Sequence, residues 1–161
     1  LTVLLTRERG LSLIEAGIPL AAYNIAGVAG ALLFGYLGDR VNTRSLVCGS
    51  LLLSVPALLA FLEIEGPLGY VPLALGGGLV LASNSILVAL AQELVPQRSG
   101  LASSLPLGFS WGLASLTLPV IGYFGDQIGV AETLKYLALL PILTAGLAFF
   151  LPSRPSAEDA T

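Results

Sequence analysis

Apolar residues run through this chain in five long stretches, and the polar and charged positions are gathered into short clusters between them. No charge occurs between Glu15 and Asp39, and residues 45–62, 66–92, 99–125 and 136–153 are also free of charge. Each stretch has 18 or more residues, close to the roughly 20 helical residues that cross a hydrocarbon core about 30 Å thick. Backbone polar groups in lipid are satisfied only in helices or closed barrels, and runs this continuous read as helices rather than alternating barrel strands. The pattern predicts an all-α, polytopic transmembrane helix bundle. Its spans cover about 13–38, 45–62, 67–92, 99–125 and 135–152, within a membrane domain of residues 1–152. A polar tail, 153–161, follows.

The fourth stretch repeats the end of the first. Gly35-Tyr36-Leu37-Gly38-Asp39 closes one and Gly122-Tyr123-Phe124-Gly125-Asp126 closes the other, and Pro19-Leu20 recurs as Pro106-Leu107 at the same 87-residue offset. An odd number of crossings separates the copies, so they point in opposite directions. Inverted repeats of this kind are a mark of secondary transporters, whose substrate sites form near the midplane.

Composition narrows the choices. Hydrophobic residues make up 55% of the chain and charged ones 11%, against about 25% charged in a soluble domain. A net charge of −3 without a basic cluster argues against nucleic-acid binding. The absence of histidine removes imidazole catalysis and the usual zinc sites, so no enzyme, cofactor or metal is expected. Cys48 is the only cysteine and has no internal disulfide partner. Leu1-Thr2-Val3-Leu4-Leu5 reads like the tail of a further span, which predicts a fragment lacking upstream sequence. By alternation Arg40, Arg44, Arg98 and Arg154 share one side, and Arg7, Arg9 and Lys135 the other. That imbalance is a weak positive-inside signal.

Small residues recur at helical spacing. Gly17, Ala21, Asn24, Val28, Ala31 and Gly35 share one side of the first span, with Gly27 and Gly30 beside them. Gly100, Ser104, Gly108, Trp111, Ser115 and Gly122 share a side of the fourth. Such stripes predict close helix packing in lipid. Prolines at 19, 56, 106, 119 and 141 predict either breaks or curvature. The segment 126–135 reads as the longest polar link.

At mid-span, Tyr23 and Asn24 in the first helix, Asn84 in the third, and Ser110, Trp111 and Ser115 in the fourth are candidate substrate contacts. Amides, hydroxyls and an indole there can supply hydrogen bonds and a stacking surface. Asn24 and Trp111 are equivalent under the 87-residue offset. The alternative role for each is interhelical hydrogen bonding. Ser83-Asn84-Ser85 must turn at least one polar group inward. Tyr36, Tyr70, Tyr123 and Tyr136 lie near span ends and read as interfacial anchors. No ionisable residue lies at mid-depth, so if transport is coupled to protons the coupling acid is expected outside this chain.

Gly35-Tyr36-Leu37-Gly38-Asp39-Arg40-Val41-Asn42-Thr43-Arg44 resembles the Gly-x-x-x-Asp-Arg-x-Gly-Arg-Arg loop of the major facilitator superfamily, with Asn42 in place of glycine and Thr43 in place of a basic residue. Asn42 is expected to take positive φ there. The resemblance implies a conformational latch of Gly35, Asp39, Arg40 and Arg44, in which Gly35 lets helices approach and Asp39 meets a helix end or the arginines. Gln92-Glu93-Leu94-Val95-Pro96, with Gly100, Gly108-Phe109 and Phe149-Phe150-Leu151-Pro152, is similar to fosmidomycin-resistance-type exporters of that superfamily. Glu93 and Arg98 are expected to pair across the loop or gate there, the alternative being a solvated helix terminus. Ser110 to Thr117 departs from the glycine-rich fourth span of that branch.

The resemblance implies the C-terminal six-helix half of a twelve-helix carrier: five complete spans and the end of a sixth, with a cytoplasmic C-terminus. It implies an inner- or plasma-membrane protein that exports small organic compounds or drugs by alternating access. Its expected partners are a small-molecule substrate, a proton as coupling ion, the missing N-terminal half and the bilayer. An importer of a small metabolite and a non-transporting membrane scaffold are the alternatives.

Overall fold

A computed structural model describes residues 1–38 and 40–151, with Ser99 described by its backbone alone. Asp39, Arg154 and the predicted tail therefore lie outside the described residues. A π-helical turn, Leu4–Glu8, precedes five α-helices: α1 Leu13–Gly38, α2 Thr43–Glu63, α3 Tyr70–Leu94, α4 Ser99–Ile128 and α5 Val130–Ala148. All five are long and apolar enough to cross a membrane, and no strand occurs among the described residues.

The helix ends are written locally. At the start of α1, Ser12 Oγ donates to Glu15 Oε2 (2.8 Å), and the Ser12 amide donates to the same oxygen (2.9 Å). The Glu15 amide donates back to Ser12 Oγ (3.3 Å), so Ser12 and Glu15 form a capping box that occupies otherwise orphaned amides. At α2, Asn42 Oδ1 accepts the Arg44 amide at 3.0 Å. Asn42 has φ −54°, so it serves as an N-cap rather than as the positive-φ substitute for glycine expected from the motif.

One expectation about the chain path is corrected. The polar segment 126–135 is folded into helix ends: α4 continues to Ile128, α5 begins at Val130, and Gly129 alone joins them. Gly129 takes φ 93°, which an L side chain rarely adopts, and this permits so sharp a reversal. Nor do the prolines break helices. α4 passes through Pro106 and Pro119 over 30 residues, and α1, α2 and α5 pass through Pro19, Pro56 and Pro141.

α3 is the centre of the packing. It lies against α1 and α2, and α2 also packs on α5, whereas α4 touches α3 and α5 more sparingly. The α1–α3 crossing is close because both sides lack side chains there. A Cβ on Gly30 would lie 2.5 Å from the Gly78 carbonyl oxygen, one on Gly78 would lie 3.0 Å from that of Ala26, and the Tyr23 ring lies over Gly77. Gly27 meets Leu81 in the same seam. This is the small-residue packing expected of Gly27 and Gly30.

The other stripes behave differently. Gly17, Gly35, Gly100, Gly108 and Gly122 have open space where a Cβ would stand, so within the described residues they bring no helix close. The packing expected of the α4 stripe and of Gly35 is therefore not made among the described residues. The contact between α2 and α3 includes a polar pair: Ser50 Oγ and Ser83 Oγ are 2.6 Å apart, both buried.

Helix α1, with 26 residues, is about 39 Å long at 1.5 Å per residue, so its ends lie on opposite faces. α2 and α5 run antiparallel. Lys135 Nζ meets Glu63 Oε1 at 3.2 Å at one end, and the Arg44 guanidinium lies 3.4 Å from the Phe149 ring centroid at the other. The Arg40 loop sits at the Arg44–Phe149 end. Gln127 and Gly129 sit at the Glu63–Lys135 end. The two copies of the repeated motif thus close their helices on opposite faces, and the inverted arrangement is present in the fold.

Candidate functional site

A cavity of about 570 Å³ opens between α3, α4 and α5 and reaches α1 and α2. α1 contributes Tyr23, α3 contributes Ser83 and Asn84, α4 contributes Ser110 and Trp111, and α5 contributes Thr144. Leucines and Val80 supply most of the remaining wall. No charged side chain lines it. The surface is apolar with a few hydrogen-bonding groups, the usual make-up of a small-molecule pocket.

The cavity gathers four of the six substrate candidates: Tyr23, Asn84, Ser110 and Trp111. Asn24 and Ser115 are not part of it. Asn24 Nδ2 donates to the Leu20 carbonyl (2.8 Å) and Ser115 Oγ to the Trp111 carbonyl (2.9 Å), each on its own helix. Asn24 and Trp111 are therefore equivalent in the repeat but not in their surroundings. The Ser83-Asn84-Ser85 triplet also divides. Ser83 bridges to Ser50, Ser85 Oγ donates to the Leu81 carbonyl at 3.4 Å, and Asn84 faces the cavity.

Thr144 was not among the sequence candidates. Its signal was a lone hydroxyl at mid-span three residues after Pro141, which also lines the cavity. Thr144 Oγ1 donates to the Pro141 carbonyl at 3.0 Å. Pro141 has no N–H for the Leu137 carbonyl one turn earlier, and Leu137 lies on the same wall.

The residues expected to form a latch lie at the far end of α1 and the start of α2. Arg40 stacks over the Tyr36 ring at 4.4 Å and Arg44 over Phe149 at 3.4 Å. Such cation–π contacts are worth about 0.5–1 kcal/mol at exposed sites. Gly35 is exposed, and Asp39 is outside the described residues. Glu93 and Arg98 flank the α3–α4 turn, both exposed. No group of three His, Cys, Asp or Glu side chains that could hold a metal occurs among the described residues.

Comparison with known proteins agrees with this picture. The profile of the Major Facilitator Superfamily matches residues 1–161. An uncharacterized MFS-type transporter of Bacillus subtilis, YfnC, is 38% identical over 144 residues, covering 89% of this chain and 35% of that protein. The fosmidomycin resistance protein of Escherichia coli is 33% identical over 153 residues, 94% of this chain and 37% of that protein. The benzoate transport protein of Acinetobacter baylyi is 29% identical over 149 residues, 91% of this chain and 29% of that protein. The chain spans about a third of the length of the curated relatives it matches. No solved structure matches it significantly. Five membrane-length helices in an inverted arrangement, together with a profile match along the whole chain, lead to one conclusion: this chain belongs to the major facilitator superfamily, whose members are membrane transporters.

Proposed function

We propose that this chain is part of a secondary active carrier that exports small organic compounds across the cell membrane in exchange for protons. The observation that carries the reading is the cavity itself, where uncharged hydrogen-bonding groups from α1, α3, α4 and α5 meet. An alternating-access carrier needs such a surface near the midplane, able to hold a solute without binding it too firmly. Trp111 offers a stacking face, and Asn84, Ser110 and Thr144 offer donors and acceptors.

In this reading the exposed faces of α1 and α4 pack against the other half of the transporter, and that half supplies the coupling acid. The Arg40–Arg44 loop acts as the latch of the cytoplasmic face, to which the C-terminus also belongs. Kinship with the fosmidomycin resistance protein supports export of a drug-like compound. The benzoate transport protein supports a second reading, import of an organic anion. The uncharged cavity disfavours an anion held by these helices alone.

The test is transport of fosmidomycin and of benzoate by membranes containing the full-length protein. Asn84→Ala and Trp111→Ala are expected to lower transport of the accepted compound at least tenfold at equal protein level, and Asn24→Ala less than twofold. Unchanged transport in both cavity variants would remove the cavity from the substrate path.

A further inference from the structure

Glu8 and Arg9 are neighbours in sequence, yet each reaches a different helix end. Glu8 Oε1 accepts the first two amides of α5, from Val130 at 3.0 Å and Ala131 at 3.2 Å. Arg9 Nη2 donates to the carbonyls of Phe61 (2.7 Å) and Leu62 (3.2 Å) in the last turn of α2. Its guanidinium also lies 4.7 Å from the Phe61 ring centroid. Each charge has the sign that its helix end favours, a carboxylate at an N-terminus and a guanidinium at a C-terminus. The Glu63–Lys135 ion pair closes the same two ends. Because Gly129 alone joins α4 to α5, a hold on Val130 also fixes the exit of α4.

We propose that Glu8 and Arg9 are a gate-positioning pair on the face opposite Arg40. They dock the segment before α1 onto the α2–α5 rim and so favour the conformation in which that face is closed. The proposal rests on the alternating-access reading and extends it to residues outside the substrate path. Two features suit a contact that must release as well as hold. Arg9 Nη1 is enclosed but has no hydrogen-bond partner among the described residues, so the docked state is incompletely satisfied. The pair also borders a groove of about 700 Å³ walled by Glu15, Glu65 and Tyr70, which leaves room for the docked segment to move.

The test uses the full-length protein in membranes, with every native cysteine including Cys48 replaced by alanine and a single reporter cysteine at half-buried Tyr70 beside the groove or at half-buried Leu37 near the other end of α1. A membrane-impermeant maleimide, applied to right-side-out vesicles for one position and to inverted vesicles for the other, reads the exposure of each face. Glu8→Ala and Arg9→Ala are expected to raise labelling at position 70 about fivefold and lower it at position 37 by a similar factor. Arg9→Lys, which keeps the charge but loses the fork, should fall between. If Arg9→Ala does not accumulate, Arg9→Lys and Glu8→Gln decide by the same reciprocal readout. Unchanged labelling at both positions, or a rise at both, would overturn the proposal, since loosened structure exposes both faces together. The carrier reading is judged separately, by the transport of Asn84→Ala and Trp111→Ala.

Discussion

Gly30 and Gly78 set how close α1 and α3 can come. A Cβ on Gly30 would stand 2.5 Å from a backbone carbonyl oxygen, which no side-chain rearrangement can relieve. Gly30→Ala is therefore expected to destabilise the helix pair by about 1–3 kcal/mol, as overpacking commonly does, seen as a lower midpoint of heat unfolding in detergent. Gly112 meets nothing within 4 Å, so Gly112→Ala should be neutral or stabilising by up to ~1 kcal/mol in the same assay. Helical spacing alone placed Gly27 and Gly30 on one strip, and their neighbours Gly77 and Gly78 in α3 supplied the matching surface. Spacing also placed Gly17 and Gly35 on a strip, but periodicity names a face and not its partner. Asn84 and Trp111 were legible as polar or aromatic groups at mid-span. Asn24 looked equivalent, yet its amide is satisfied one turn back on its own helix, which a residue list cannot reveal.

At the scale of elements, the number and type of helices were plain from charge-free length, because lipid permits few other ways to satisfy the backbone. The ends were less plain. Charges at 126, 132 and 135 looked like a loop, but they ride on the outer turns of α4 and α5, and a single glycine makes the reversal. Gly129 has φ 93° and ψ 149°, a region nearly reserved for glycine. Gly129→Ala is expected to cost about 1–3 kcal/mol in the unfolding assay, and a change below a few tenths would show that the turn can relax. Ser12→Ala removes the capping box of α1 and should cost about 1 kcal/mol, with the loss concentrated in faster amide exchange over the first turn. The Ser-x-x-Glu spacing of Ser12 and Glu15 carried that signal. Glu8 and Arg9 carried none, since their partners are backbone groups more than 50 residues away.

At the scale of the whole molecule, the 87-residue echo of the Gly–Tyr–x–Gly–Asp motif has a simple physical meaning. Two helices of similar sequence cross the same bilayer in opposite senses, the inverted repeat found in many secondary transporters. The fold places the Arg40 loop at the Arg44–Phe149 end and Gln127 near the Glu63–Lys135 end. The most direct test is to place single cysteines at Val41 and Gln127 in a protein whose native cysteines, Cys48 included, are replaced by alanine. Each is then labelled with an impermeant maleimide in right-side-out and in inverted vesicles. The account predicts that each position reacts in one vesicle orientation only, and that the two positions react in opposite ones. Reaction of both from the same side would place the two motifs on one face, and the inverted architecture, with the carrier drawn from it, would be wrong.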